Sequence, residues 1–512
     1  MNLVPQLIIP MTGVGQRFVN AGYRELKPLI DTGMGTMIQG VLENYQLVED
    51  PLFVISDSHP QKADLKRELT RLRPKGKVIE ISSHKRGPSY AVWEARSNID
   101  SKRPVIVNYC DFSGIWSETD FYAQLVEVDG LIATYTGFHP HMVRNTSYAY
   151  VLKIGDRVKR IQEKRSFTEN PMNEEASSGT YGFGSGEILF DALSEQMKRN
   201  LSLNGELYTS LTYIPLIEKD AAIKTFQIDK FFQWGTPEDL EDFRFWEKLR
   251  LRSLSKNMKV KEERKSVALI LAGGRGNRLR GTANVPKPQI QVFGKQLWKF
   301  AAEASKTCKE TYVFTTSDQL EGMQKSLGEP IVFISIDKPT QSQTDSAYEA
   351  LNRIAELNHP IHILASDNIL FEEELAKVES LLHDCDVVAW TKCNYAASQK
   401  KPFHYSWVNS DERRDINHVY IKPENRPDSN EILIGNFSFR DGTLARRLID
   451  KIRSEQIVMS EKYLDYVVIE ALNLGLTVKA HAVNDFWAIG TLEEFDTLKY
   501  WEEAFGVPKI TA

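Results

Sequence analysis

At 512 residues the chain is too long for one hydrophobic core and suggests two or three domains. Hydrophobic residues make up 42% and charged ones 26%, with a formal net charge of −5. That balance excludes a global attraction to nucleic acid or to an anionic membrane surface, so any anion site must be local. No apolar run reaches membrane-spanning length, and the opening residues show no basic segment followed by a long apolar stretch. The four cysteines, Cys110, Cys308, Cys385 and Cys393, show no C-x-x-C pairing, so reduced thiols in a cytoplasmic protein are expected.

The first informative stretch is the apolar run Leu7-Ile8-Ile9, which leads through Pro10, Met11 and Thr12 into Gly13-Val14-Gly15-Gln16-Arg17. Lys27-Pro28 follows. Glycines let a backbone approach a polyphosphate closely with its N–H groups turned toward the oxygens, and Arg17 and Lys27 supply positive charge. A single G-x-G also reads as an ordinary strand-to-helix turn. Here the pattern occurs twice. Ala268-Leu269-Ile270-Leu271 runs into Ala272-Gly273-Gly274-Arg275-Gly276-Asn277-Arg278, and Pro286-Lys287-Pro288 closes it.

Further along, Leu52–Ser56 and Val105–Val107 read as strands, and Ser89–Asn98 and Glu187–Lys198 as helices. Alternation of this kind predicts a mostly parallel, mixed sheet with helices on both faces, and ligands at the carboxyl ends of its strands. Asp111 follows the run Val105–Val107, and Asp367 follows Ile361–Leu364. A carboxylate at such a place either holds Mg²⁺ or caps a turn, and its recurrence favours the metal. His84–Ala91 precedes a helix and reads either as a place for backbone N–H groups near a nucleobase or as a cap. Glu163 and Lys164 set an acid beside a base, as a solvated strand end also does.

Gly179 and Gly435 lie in related contexts, as do Trp234-Gly235-Thr236 and Ile489-Gly490-Thr491, and Trp246-Glu247 and Trp501-Glu502. With the glycine loops and the aspartates, these pairs keep a nearly constant offset of about 255–261 residues, the sign of an internal repeat. The expectation is one domain over 1–250, a linker over 251–265 and a second domain over 266–512. The linker is basic and reads as a solvated connector or a charged helix.

The order of motifs resembles the nucleoside-triphosphate transferase superfamily of sugar-phosphate nucleotidylyltransferases. Residues 1–250 look like the nucleotidyltransferases of bacterial capsule loci, through Asn108–Phe112, Gly137–His141 and Gln233–Leu240. The resemblance implies two tandem Rossmann-like domains and transfer of a nucleotidyl group to a small phosphorylated acceptor for surface polysaccharide precursors. It implies that Met11, Thr12, Gly13, Val14 and Gly15 cradle the triphosphate, that Arg17 and Lys27 are catalytic and that Gly87 lies by the base. Glu163, Lys164, Gly179 and Glu206 would face the acceptor, and Asp111 would bind Mg²⁺. In the second copy Ala272, Gly273, Gly274 and Gly276 would bind nucleotide, Arg278 and Lys287 would act catalytically and Asp367 would bind Mg²⁺. Two departures stand out. Where relatives carry a second metal-binding Asp, this chain has Gln233 and Ala488, and the Glu163-Lys164 pair becomes Ile421-Lys422.

CTP is the favoured donor and GTP the next, with no nucleic acid partner, no membrane insertion and a homodimer as one assembly option. The alternatives are one active domain with a degenerate regulatory partner, a non-catalytic nucleotide-sugar-binding regulator, and a glycosyltransferase. The last needs an Asp-x-Asp motif that neither copy shows at the expected strand end. His139 and His141 lack an evident third ligand for zinc.

Overall fold

The computed structural model describes residues 4–254, 265–274, 276, 279, 285–324, 331–454 and 462–506. The chain forms two compact units, Met1–Leu249 and Arg250–Ala512.

In the first unit the strand Gln6–Met11 is buried along its whole length. It lies between Leu52–Ser56 and Val105–Asn108, parallel to both. Runs such as Leu7-Ile8-Ile9, Phe53-Val54-Ile55 and Val105-Ile106-Val107 are apolar at every position because helices cover both faces of a parallel sheet. Each such fully buried side chain contributes about 1.5–3 kcal/mol. The sheet runs Ile223–Gln227, Gly130–Tyr135, Glu175–Phe183, Val105–Asn108, Gln6–Met11, Leu52–Ser56, Lys77–Ile81. Glu175–Phe183 is antiparallel to both neighbours, so the sheet is mixed. From Gln6–Met11 the chain first builds outward on one side, then returns to place Val105–Asn108 on the other. That reversal opens a crevice at the strands' carboxyl ends.

The second unit repeats this order: Val478–Ala482, Val387–Cys393, Glu431–Phe439, Ile361–Ala365, Val267–Leu271, Glu310–Thr316, Ile331–Ile336. Its core gathers Leu269, Phe314, Ile363, Ala389, Phe437 and Leu448.

The expected helix Ser89–Asn98 is a helix over Pro88–Glu94 followed by a 3-10 turn over Arg96–Asn98. Ser97 and Asn98 are weak helix formers, and the last hydrogen bonds tighten, Asn98 N–H donating to Ala95. Gly186–Lys198 is helical, with the Ser185 hydroxyl accepting from the Ile188 N–H. Of the stretch 251–265, residues 251–254 end the helix Pro237–Leu254, and 255–264 lie outside the described residues. Among the described residues no helix is long and apolar enough to cross a membrane.

Candidate active site

Each unit places a glycine turn at the end of its central strand, packed against a lysine. Gly15 has φ +68°, and a Cβ there would lie 2.9 Å from the Lys27 Cβ. Gly276 has φ +61°, and a Cβ there would lie 2.8 Å from the Lys287 Cβ. Left-handed backbone in contact with a neighbouring stem admits only glycine at low cost. Gly13 and Gly274 face open space, so their backbone is accessible to a ligand. Met11 is buried at the strand end, Thr12 is half-buried and Val14 is exposed. In the second loop Ala272 is buried and Gly273 half-buried. Arg17 is exposed on the short helix Gln16–Asn20. Arg278 lies outside the described residues.

The lysines reach the aspartates. Lys27 Nζ lies 2.6 Å from Asp111 Oδ2, and Lys287 Nζ is hydrogen-bonded to Asp367 Oδ2. The aspartates sit beyond the sheet strands, where a two-stranded ribbon starts. Phe112–Ile115 pairs with Lys230–Gln233 and Asn368–Ile369 with Trp487–Ala488. These ribbons bring the Gly-Thr turns alongside. Trp234 N–H donates to the Asp111 carbonyl and Ile489 N–H to the Asp367 carbonyl, both at 2.9 Å. Gln233 and Ala488 therefore lie across the ribbon from Phe112 and Asn368. Among the described residues no group of three or more His, Cys, Asp or Glu converges. The donor set is one carboxylate per unit. That fits Mg²⁺, which keeps several waters and takes one or two carboxylates plus phosphate oxygens.

In the first unit the residues expected to face an acceptor form a connected group. The Ser210 hydroxyl donates to Glu163, whose carboxyl is raised by burial against the opposing pull of Ser210 and Lys164. Lys164, at φ +57°, donates to the Tyr208 hydroxyl at 2.6 Å and lies 4.6 Å from that ring's centroid. Tyr208 in turn donates to Glu206. Gly87 has φ +90° and packs on Leu207, whose N–H donates to the Arg86 carbonyl at 2.8 Å. Gly179 has φ +101° and accepts from the Tyr109 N–H. A Cβ there would strike the Phe112 ring at 2.9 Å.

Tyr208 and Ser210 were not singled out from the sequence, nor was the brace behind the loop. His59 Nε2 lies 3.1 Å from the Thr12 carbonyl, and Gln61 Oε1 accepts from the Leu26 N–H at 2.6 Å. One short segment thus fastens both the glycine loop and the lysine segment. Burial lowers the His59 pKa against the opposing pull of the Thr12 carbonyl. No local signal marks these residues, because their partners are distant in sequence. His139 and His141 are buried beside Tyr135, and the Tyr135 hydroxyl lies 3.0 Å from His141 Nε2.

The second unit holds a cleft of about 390 Å³ lined by Gly273, Gly274, Lys287, Asp367, Gly435 and Thr340–Gln343, among others. Lys422 has φ +42°, donates to the His404 carbonyl at 2.6 Å and lies 5.2 Å from the centroid of the Tyr463 ring. The Gly-Thr turn is fixed differently in the two units. Glu494 is buried and accepts from the Gly490 and Thr491 N–H groups and from the Tyr395 and Tyr405 hydroxyls. In the first unit Asp239 accepts from Thr236 and pairs with Arg144, and its burial pushes its pKa up to about 6.

Residues 267–495 match the family model for nucleotidyl transferases. Among solved structures, the chain is similar to a nucleoside-diphosphate-sugar pyrophosphorylase from Vibrio cholerae, at 20% identity over 47% of this chain and 99% of that one, with a TM-score of 0.40. It is also similar to the inositol-1-phosphate CTP transferase from T. maritima, at 15% identity over 48% and 98%, with a TM-score of 0.37. No curated protein matches the chain. The chain carries a nucleotidyl transferase domain over residues 267–495 and is a nucleotidyltransferase enzyme.

Proposed function

We propose that the two units are tandem copies of one domain, and that both transfer a nucleotidyl group from an NTP to a phosphate monoester with release of pyrophosphate. The observation that carries this reading is the lysine–aspartate pair found in both units, between a left-handed glycine and a Gly-Thr turn. An acceptor phosphate oxygen attacks the α-phosphorus. The new P–O bond forms as the bond to the β-phosphate oxygen breaks, and pyrophosphate leaves. The acceptor phosphate is ionised near neutral pH, so alignment and charge neutralisation suffice without a general base.

The backbone around Gly13 and Gly15, and around Gly274 and Gly276, binds the triphosphate. Arg17 adds charge at the first loop, and Arg278 takes that role at the second. Lys27 and Lys287 exchange their aspartate partners for phosphate oxygens, holding the α-phosphate and the acceptor phosphate together. Asp111 and Asp367 would hold Mg²⁺, which when bound offsets phosphate charge. Gly87 lets the chain run close beside the base. Glu163, Lys164, Gly179 and Glu206 bind the acceptor of the first unit. On the resemblance of residues 1–250 to capsule-locus enzymes, CTP is the proposed donor, GTP the next, and surface-glycan precursors the products.

The test is pyrophosphate release by the full chain with each common NTP, Mg²⁺ and a panel of sugar phosphates, repeated with Lys27→Ala and Lys287→Ala. Release that each variant abolishes for a different acceptor supports two active clefts. Tight nucleotide binding with no release from any pair defeats the reading and leaves a nucleotide-binding regulator.

A further inference from the structure

Ile421 stands where the first unit has Glu163, and alone it would mark the second acceptor pocket as degraded. Three other positions argue against that. Lys164 and Lys422 occupy the same place. Each lies two residues beyond a strand partner, Gln162 opposite Tyr150 and Tyr420 opposite Trp407. Both have positive φ, and both lie over a tyrosine, Tyr208 or Tyr463. Two residues past each tyrosine comes Ser210 in the first unit and Asp465 in the second. Ser210 donates to Glu163, whereas Asp465 is itself the carboxylate, with an oxygen 4.0 Å from Lys422 Nζ.

A third change supports this relocation. Ala149 and Ser406 hold matching places, since their carbonyls accept at 2.8 Å from the N–H groups of Ser177 and Leu433 on corresponding strands. The alanine has no side-chain donor, whereas the Ser406 hydroxyl donates to Asp465. Acid, hydroxyl and lysine are thus all present at this place in both units, but the acid and the hydroxyl have exchanged positions. A structural reading of Asp465 as a helix cap does not account for it. It precedes the helix Tyr466–Asn473, yet its side chain makes no capping hydrogen bond. Its neighbour Leu464 lines the cleft with Lys287 and Asp367.

We propose that Asp465 and Lys422 are the acceptor-recognising pair of the second cleft, and that this cleft takes a hydroxyl-bearing phosphate monoester different from the first cleft's acceptor. Lys422 meets the phosphate, and Asp465 both positions Lys422 and accepts from an acceptor hydroxyl on the opposite wall from the one Glu163 reads. This rests on the nucleotidyl-transfer reading of the cleft, and binding tests it separately from turnover.

The experiment uses the full chain with the first cleft disabled by Lys27→Ala and Lys164→Ala. Glucose 1-phosphate, mannose 1-phosphate and glycerol 3-phosphate are titrated calorimetrically, and the tightest binder is carried forward. Asp465→Ser and the isosteric Asp465→Asn should each weaken it about tenfold or more, the scale of a lost charge-assisted hydrogen bond. Adding Ile421→Glu to Asp465→Ser rebuilds the first unit's arrangement and should restore affinity to within about threefold, a difference under one kcal/mol. A purely structural Asp465 would not be rescued from the other wall. Unchanged affinity in Asp465→Asn, no rescue in a chain whose circular dichroism and melting are intact, or no binding of any of the three probes overturns the proposal. Binding and rescue without pyrophosphate release uphold the pair and defeat the catalytic reading alone.

Discussion

The first unit holds Lys27 on Asp111 at 2.6 Å and the second holds Lys287 on Asp367, each lysine stem against a left-handed glycine. On the other side each unit keeps a lysine over a tyrosine, but the acid and its hydroxyl partner differ. The first unit joins Glu163 to Ser210 and Lys164 to Tyr208, while the second joins Asp465 to Ser406 and sets Lys422 over Tyr463. A triphosphate presents the same oxygens whatever the acceptor, so the residues that would meet it have little freedom to change. An acceptor pocket reads the position of hydroxyls and can exchange residues as long as charge and hydrogen bonds remain balanced. The contrast teaches that a missing motif residue is weak evidence of a dead site until the opposite wall has been inspected.

Removal of divalent metal tests what the clefts share. A chelator should lower pyrophosphate release in both clefts by about a thousandfold or more, with the melting temperature unchanged. Retained activity in either cleft would break the symmetry of Asp111 and Asp367. Lys27→Ala and Lys287→Ala should each reduce one acceptor activity by about a hundred- to a thousandfold and spare the other, read as kcat for each acceptor.

Acid should separate the units. Burial lowers the His139 pKa to about 4 and that of His141 well below its usual value, both in the first unit. The unfolded chain takes up these protons near pH 6.5 and the folded chain does not. This stability is therefore fully present above about pH 6.5 and lost as the pH falls toward 4. The loss from His139 alone approaches about 3 kcal/mol. Calorimetric melting between pH 7 and pH 4.5 should show the first unit's transition falling, and His139→Gln should flatten its slope.

Gly15→Ala and Gly276→Ala probe the loops at about 1–2 kcal/mol of backbone strain each. Each should raise the KM for NTP about tenfold in its own cleft by displacing the lysine stem. Ser210→Ala is the smallest change. Loss of one hydrogen bond to Glu163 should raise the first acceptor's KM by about threefold to tenfold, and the second acceptor's KM should not move.

Part of this site was legible from local pattern. An apolar run ending in glycines, a lysine before a proline and an aspartate after a second apolar run follow from what strands, tight turns and phosphate-facing backbone require of nearby residues. Their recurrence showed which matches to compare. Glu163, Lys164 and Glu206 came from resemblance, and the fold joins them through Tyr208 and Ser210, which no local pattern distinguishes. His59 and Gln61 were equally silent, because their partners Thr12 and Leu26 are brought to them only when Leu52–Ser56 pairs beside Gln6–Met11.

The sequence by itself determined the alternating strand and helix pattern and the paired glycine turns, because each depends on neighbours within a few positions. The tertiary structure decided that each lysine meets its aspartate across a long stretch of chain, 84 positions in the first unit and 80 in the second. It also decided that a Gly-Thr turn from the end of each unit closes beside them. It alone decided that Asp465 lies near Lys422, because a charge balance across a cleft depends on distances in space that the order of residues does not record.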